Sequence, residues 1–199
     1  KGFPDLLNYY ALVAEGVLFN KDGSLLAAWW YAGPDMESAT PNEMAVLSAQ
    51  INGALRDLGN GWMIQADAIR KPAPGYADAG AFPDATSRLI DEERRRLYEG
   101  GAATFESLYT LCVSYLPPPE IQSRLGALFI ESEESERAPN WETVLRHFER
   151  ALRQLEDALS DRLSIRRMDS ADLLSFLCSC ASGIMQPVRV PRPPVDLDA

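Results

Sequence analysis

VLFNKDGSLLAAWWY, residues 17–31, decides how this chain folds. Two apolar runs flank Asn20-Lys21-Asp22-Gly23, residues that tolerate positive φ at a tight turn. The stretch therefore reads as a hairpin, with one strand over about Glu15 to Phe19 and another over about Ser24 to Ala32. Gly33-Pro34-Asp35 breaks the second strand. Trp29 and Trp30 are neighbours in it, and side chains alternate across a strand, so the two indoles point to opposite faces. One of them belongs to the core. The other is either covered by the N-terminal segment (Phe3, Leu6, Leu7, Tyr9, Tyr10) or belongs to an interface, where tryptophan is enriched. Trp29, Trp30 and Tyr31 are candidate interface residues on this ground.

Working outward, Thr40-Pro41 with Glu43 spells a capping box with proline at the first helical position. Met44, Leu47, Ile51, Leu55 and Leu58 then form an apolar stripe, and Gly59 closes the helix. A strand follows over about Trp62 to Arg70, then a Pro/Gly/Ala-rich loop from Lys71 to Asp84. ATSRLIDEERRRLYEGG, residues 85–101, is a short, heavily charged helix. TFESLYTLCVSYLPPP, residues 104–119, is a strand with Phe105, Ser107, Tyr109, Leu111, Val113 and Tyr115 on one face, stopped by three prolines. ESEESERAP, residues 131–139, reads as a mobile acidic linker. The longest helix spans about Trp141 to Leu163, where Trp141, Leu145, Phe148, Leu152, Leu155 and Leu159 make a heptad-like seam. SIRRM is a candidate further strand, and Asp169 or Ser170 caps a last helix over Leu173 to Ser182.

Leaving aside the first strand, the order is strand, helix, strand, strand, helix, strand. The expected fold is α+β: an antiparallel sheet of ferredoxin-like βαββαβ order with an N-terminal hairpin strand, a helical insertion at about 84–101 and a C-terminal helical subdomain. Residues 1–168 form the sheet domain, and 169–199 the last helix and a proline-rich tail. The two helices cover one face of the sheet, and the other stays partly open unless something packs on it.

Bulk properties narrow the function. A chain of 199 residues with 46% hydrophobic content holds a genuine core. A net charge of −10 disfavours binding to phosphate backbones, so no nucleic-acid partner is expected for this segment. No run approaches the roughly 18 apolar residues of a membrane span, and the N-terminus lacks the pattern of a signal peptide. Cys112, Cys178 and Cys180 are too few and too odd in number for a disulfide framework, which fits a reducing cytoplasm.

Chemistry-bearing motifs are scarce. There is no GxxxxGK[ST] loop to cradle a phosphate. Gly59-Asn60-Gly61 reads as a helix cap and turn, and Cys178-Ser179-Cys180 as small apolar filling, since no second Cys or His pair completes a metal site. His147 is the only histidine and lies beside the seam. Asp91 to Arg96 reads as a solvated helix face, with docking to an acidic partner as the alternative that makes Arg94, Arg95 and Arg96 candidate interface residues. Arg166, Arg167, Arg189 and Arg192 make at most a weak basic patch. The residues thus favour an interaction module over an enzyme, with no catalytic, cofactor-binding or metal-binding residue to assign. A free-standing ligand-binding or small-molecule enzyme domain is the alternative, and it needs a cavity converging on His147.

EGVLFNKDGSLL (15–26), GPDMESAT (33–40), LGNGWMIQADAIR (58–70), FPDATSRLIDEERR (82–95), LLSFLCSCASG (173–183) and PVDLD (194–198) resemble, in this order, the N-terminal region of the CagE/TrbE/VirB family of type IV secretion ATPases, conjugal-transfer members above all. The resemblance covers nearly the whole chain. It implies a large ATPase, cytoplasmic and peripheral to the bacterial inner membrane, that powers assembly of the transfer channel and pilus. It implies that ATP and Mg²⁺ are held by a C-terminal domain, so no cofactor residue carries over to this chain. It further implies contacts with inner-membrane and other secretion components, and self-association within a hexameric motor. On the same resemblance the chain is expected to stop inside the N-terminal domain, with the last strands of the sheet missing.

Overall fold

The structure is a computed structural model that describes residues 6–78, 80–101, 104–119 and 141–190. The linker expected at 131–139, along with Phe3 and the tail after residue 190, lies outside the described residues. The described chain carries β1 (Tyr9–Ala14), β2 (Val17–Asn20), β3 (Leu25–Ala32), α1 (Pro41–Arg56), β4 (Trp62–Pro72), α2 (Ala85–Gly100), β5 (Phe105–Tyr115), α3 (Trp141–Ser160), β6 (Ser164–Arg167) and α4 (Ser170–Ser182). It divides into a larger unit, Lys1–Asp67 with Tyr109–Ala199, and a smaller one, Ala68–Leu108.

The fold is α+β, with six strands in one sheet. The path is β1-β2-β3-β5-β4, and β6 pairs β3 off this path. The register pairs Leu18 with Leu26, Trp29 with Leu111 of β5, and Trp29 with Arg167 of β6, all antiparallel. β5 occupies one edge of β3 from Leu25 to Tyr31, so β2 and β6 share the other edge, one after the other. The sheet is therefore branched rather than a plain four-strand order. Two strands precede β3 where the sequence reading has one: Tyr9–Ala14 pairs β2 as an irregular, half-buried edge strand. Its bulges blur the period-2 pattern that would mark it in the sequence.

The break between β2 and β6 is closed by a turn against a helix end. Glu15-Gly16 turns β1 into β2; the Gly16 N–H donates to Ser170 Oγ at 3.1 Å, and the Ser170 N–H to Glu15 Oε1 at 2.7 Å. Ser170 opens α4, whose N-cap is Asp169, so the Glu15 carboxylate meets free backbone donors at a helix N-terminus. Gly16 has φ 62°, and a Cβ there would collide with the Met168 carbonyl oxygen, so only glycine lets the turn sit this close.

In the larger unit both faces of the sheet are covered. One face sets Val17, Phe19, Leu25, Ala27, Trp29, Leu111 and Val113 against Val144, Phe148, Leu152, Leu155 and Leu159 of α3. α1 adds half-buried Ile51, Ala54 and Leu55, with Leu58 just past its end, but no fully buried residue. The alternating face sets Leu18, Leu26, Ala28 and Cys112 in the interior, where Met168, Leu173, Leu174, Phe176 and Leu177 are also buried. The α3 seam is as expected from Phe148 onward. Val144 takes the buried place in its first turn, and Trp141 stays 36% exposed. α1 starts at its capping box as the sequence predicts, and α4 ends at Gly183 in the left-handed region.

Candidate interaction surface

Trp29 and Trp30 are placed by the alternation of β3. Trp29 is fully buried and its Nε1–H donates to Glu156 Oε1 of α3 at 2.6 Å. A buried indole N–H needs such a partner, and a carboxylate is a strong one. Arg167, opposite Trp29 in the ladder, has Nε and Nη2 buried without a hydrogen-bond partner among the described residues. Trp30 is half-buried, edge-on to Phe176 of α4, with ring centroids 6.3 Å apart and planes at 73°. Arg166, on the same face, pairs with Asp172 of α4 at 2.8 Å. The element over Trp30 is thus the last helix. Leu6, from the N-terminal segment, is 78% exposed, and Tyr10 stands against Phe19 on the Trp29 face. Tyr31 is half-buried and tilts against Tyr109, whose side chain is 43% exposed.

The arginine run lies in the smaller unit, on α2. Its inward face carries Asp91, Arg95 and Tyr98 toward the loop that precedes the helix. Arg95 donates to the Ala77 carbonyl at 2.8 Å, lies 4.9 Å from the Tyr76 ring centre, and pairs with Asp91 and Glu99. Tyr76 donates to Asp91 at 2.8 Å, and that hydrogen bond pushes the phenol up from its ordinary value. Arg96 pairs with Glu93 one turn away. Arg94 is exposed and makes no ion pair among the described residues. Leu89 and Leu97 are exposed on the same helix, at 56% and 77%.

Two concavities open on the α1 side of the larger unit. A cleft of about 460 Å³ between α1 and α3 is lined by Ala54, Asp57, Trp62, His147, Ala151 and Gln154 among others. Trp62 floors it, stacked on Phe148 at 5.5 Å and 11°, and His147 lies 5.3 Å from Tyr115 and 6.4 Å from Trp62, centre to centre. A shallower groove of about 320 Å³ is lined by Met36, Met44, Leu47 and Ile51. The apolar stripe of α1 therefore outruns the core it serves. Trp62 and Glu156 escaped the sequence reading as site residues. A lone strand tryptophan and one glutamate among many carry no spacing signal; the fold alone brings them to the cleft and to the indole.

Among the described residues no group of three or more His, Cys, Asp or Glu could hold a metal ion. Cys112 is 3% exposed, and burial pushes its thiol up to about 12, which leaves it protonated and inert at neutral pH. Cys180 is raised as well, chiefly by burial. No described helix is long and apolar enough to cross a membrane.

Comparison with known proteins places the chain in a family. The family described as type IV secretion system ATPase VirB4/TrbE, N-terminal domain, matches residues 16–122. The chain belongs to this family. A VirB4/TrbE relative, "Conjugal transfer protein TrbE" of Rhizobium radiobacter, is 37% identical over 212 residues, covering 98% of this chain and 26% of that protein. A second, the first piece of a probable conjugal transfer protein TrbE of Sinorhizobium fredii (strain NBRC 101917 / NGR234), is 50% identical over 117 residues, covering 58% of this chain and 78% of that protein. This VirB4/TrbE chain thus spans about a quarter of the length of its Rhizobium radiobacter relative.

Proposed function

We propose that this chain is the non-catalytic assembly and docking module of a conjugal-transfer ATPase. The carrying observation is its membership of the VirB4/TrbE N-terminal domain family, in a sequence with no phosphate-cradling loop. On this reading ATP and Mg²⁺ are held elsewhere in the parent protein. The module works in the cytoplasm at the inner membrane, contacting other secretion components and neighbouring motor subunits. Exposed apolar side chains on α1 and α2, and the exposed Arg94, are the surfaces available to such partners.

The test is a pull-down of the secretion system's inner-membrane components by the tagged chain. Trp29 is left alone because its loss would damage the core. Trp30→Ala, Tyr31→Ala and the triple change of Arg94, Arg95 and Arg96 to Glu are compared with the unaltered chain. Loss of capture in at least one, with unchanged circular dichroism, supports the reading. Full capture by all three removes these residues from the interface, and measurable ATP hydrolysis by the purified chain sinks the non-catalytic assignment.

One observation favours a second reading, a ligand-binding domain: the cleft at His147 has a carboxylate, Asp57, an aromatic floor and a volume in the range of small-molecule sites. Chemical-shift changes confined to His147, Trp62 and Asp57 on titration with a metabolite mixture would support it. An unperturbed spectrum rejects it.

A further inference from the structure

The family match ends at residue 122, yet the fold does not close there. Buried apolar side chains fall into two sets. Among the described residues, eleven aliphatic, aromatic or sulfur-containing ones lie in the matched span: Val17, Leu18, Phe19, Leu25 to Trp29, Leu111, Cys112 and Val113, every one on a strand, with buried Pro117 just past β5. The other ten lie after it, from Val144 to Leu177, and all but Met168 are on α3 or α4. No described helix inside the matched span has a fully buried residue. The division is one of roles: the matched span supplies a sheet, and the following segment supplies the principal cover of both its faces. A sheet apolar on both faces has no stable place in water until both are covered.

The attachments agree. α3 holds the Trp29 face through Phe148, Leu152 and the Glu156 bond to the indole. β6 completes the open edge of β3, and the Met168 N–H donates to the Ala28 carbonyl at 2.9 Å. α4 covers the other face with Phe176 against Trp30 and is fastened to the β1–β2 turn through Glu15 and Ser170.

We propose that residues 141–182 are the obligatory docking partner of the sheet, so that the folding and functional module runs through α4 and the segment ending at residue 122 is not a self-sufficient domain. The surface is the pair of apolar sheet faces. Its occupant is this chain's own α3–β6–α4 segment, which binds both faces like a clamp. Any partner that reaches the Trp30 face must displace α4.

Native-state hydrogen exchange on the full chain tests this. Leu152→Ala on α3 and Leu173→Ala on α4 both remove a fully buried side chain. Each is expected to speed exchange at the Ala27 and Val113 amides by the same factor as in the helices themselves, roughly 100-fold. Faster exchange in the altered helix with unchanged strand amides overturns the proposal. If either variant fails to fold, the unaltered chain decides: a protease site inserted between residues 123 and 139 is cut, and the pieces are run on a sizing column. Co-elution as one folded species supports the proposal, as does an N-terminal piece that elutes alone and unfolded. An N-terminal piece that elutes alone with native near-ultraviolet tryptophan ellipticity overturns it.

Discussion

The two faces of β3 begin from neighbouring tryptophans and are finished differently. The Trp29 face is covered by two helices, with a long α3 seam at its centre and a carboxylate on the indole. The Trp30 face is covered by one shorter helix, fastened at its N-terminus through Ser170 to Glu15 and Gly16, far away in the chain. The first cover is written into the sequence as a period-3.5 repeat. The second rests on Leu173, Leu174, Phe176 and Leu177, in a helix whose other residues are mostly small and weakly polar, so its apolar face stands out little. The strength of an amphipathic signal is thus a poor guide to how much of a core a helix supplies: Phe148 is 0% exposed and Phe176 is 2%.

That equivalence can be broken by experiment. Phe148→Ala and Phe176→Ala each remove a buried phenyl and are expected to cost about 3–5 kcal/mol in urea unfolding. A cost under about 1 kcal/mol for Phe176→Ala alone would make α4 a loose cover. Gly16→Ala attacks the fastening of the second face. A left-handed φ and the Met168 carbonyl together predict a loss of roughly 2 kcal/mol, with α4 amides exchanging faster than α3 amides. Trp29→Phe removes the donor to Glu156 and is expected to cost about 2 kcal/mol, against less than about 1 kcal/mol for Trp30→Phe, whose edge contact a phenyl largely keeps. Equal costs would mean that the carboxylate bond carries no special weight.

The last prediction is a pH slope, invisible near neutral pH. Burial raises the Cys112 thiol from 9.0 to about 12, because the folded state disfavours the thiolate. Its contribution is complete below pH 9, where the folded and unfolded chains both hold the proton, and is lost as pH rises from 9 toward 12, where only the unfolded chain releases it. Urea midpoints for Cys112→Val should fall less over that interval than those of the unaltered chain. Parallel slopes would show the thiol to be wetter than its 3% exposure implies.

Much of the fold is legible in the residues. Thr40 and Glu43 form the capping box that starts α1, Asp169 caps α4, and Gly183 ends it, because caps act within a few residues and need nothing from afar. β1 is not legible, since its register shifts break the alternation, and neither is the branching of the sheet at β3, which depends on two strands sharing one edge. The candidate surface divides in the same way. Arg95 and Arg96 find partners within α2 and its adjacent loop, as local spacing allows. The cleft at His147 joins that residue to Asp57 and Trp62, distant in the chain, and no local pattern marks it.

By itself the sequence determined the strand–turn–strand opening, the positions of the helices, the opposition of the two indoles and the family, because each rests on periodicity, capping or an ordered run of matching residues. Which indole is the core one, what covers the other, and that Glu15 meets Ser170 were decided only by the tertiary structure. Those contacts join residues more than a hundred positions apart, where pairing is set by the shapes of whole faces rather than by any property of the neighbouring sequence.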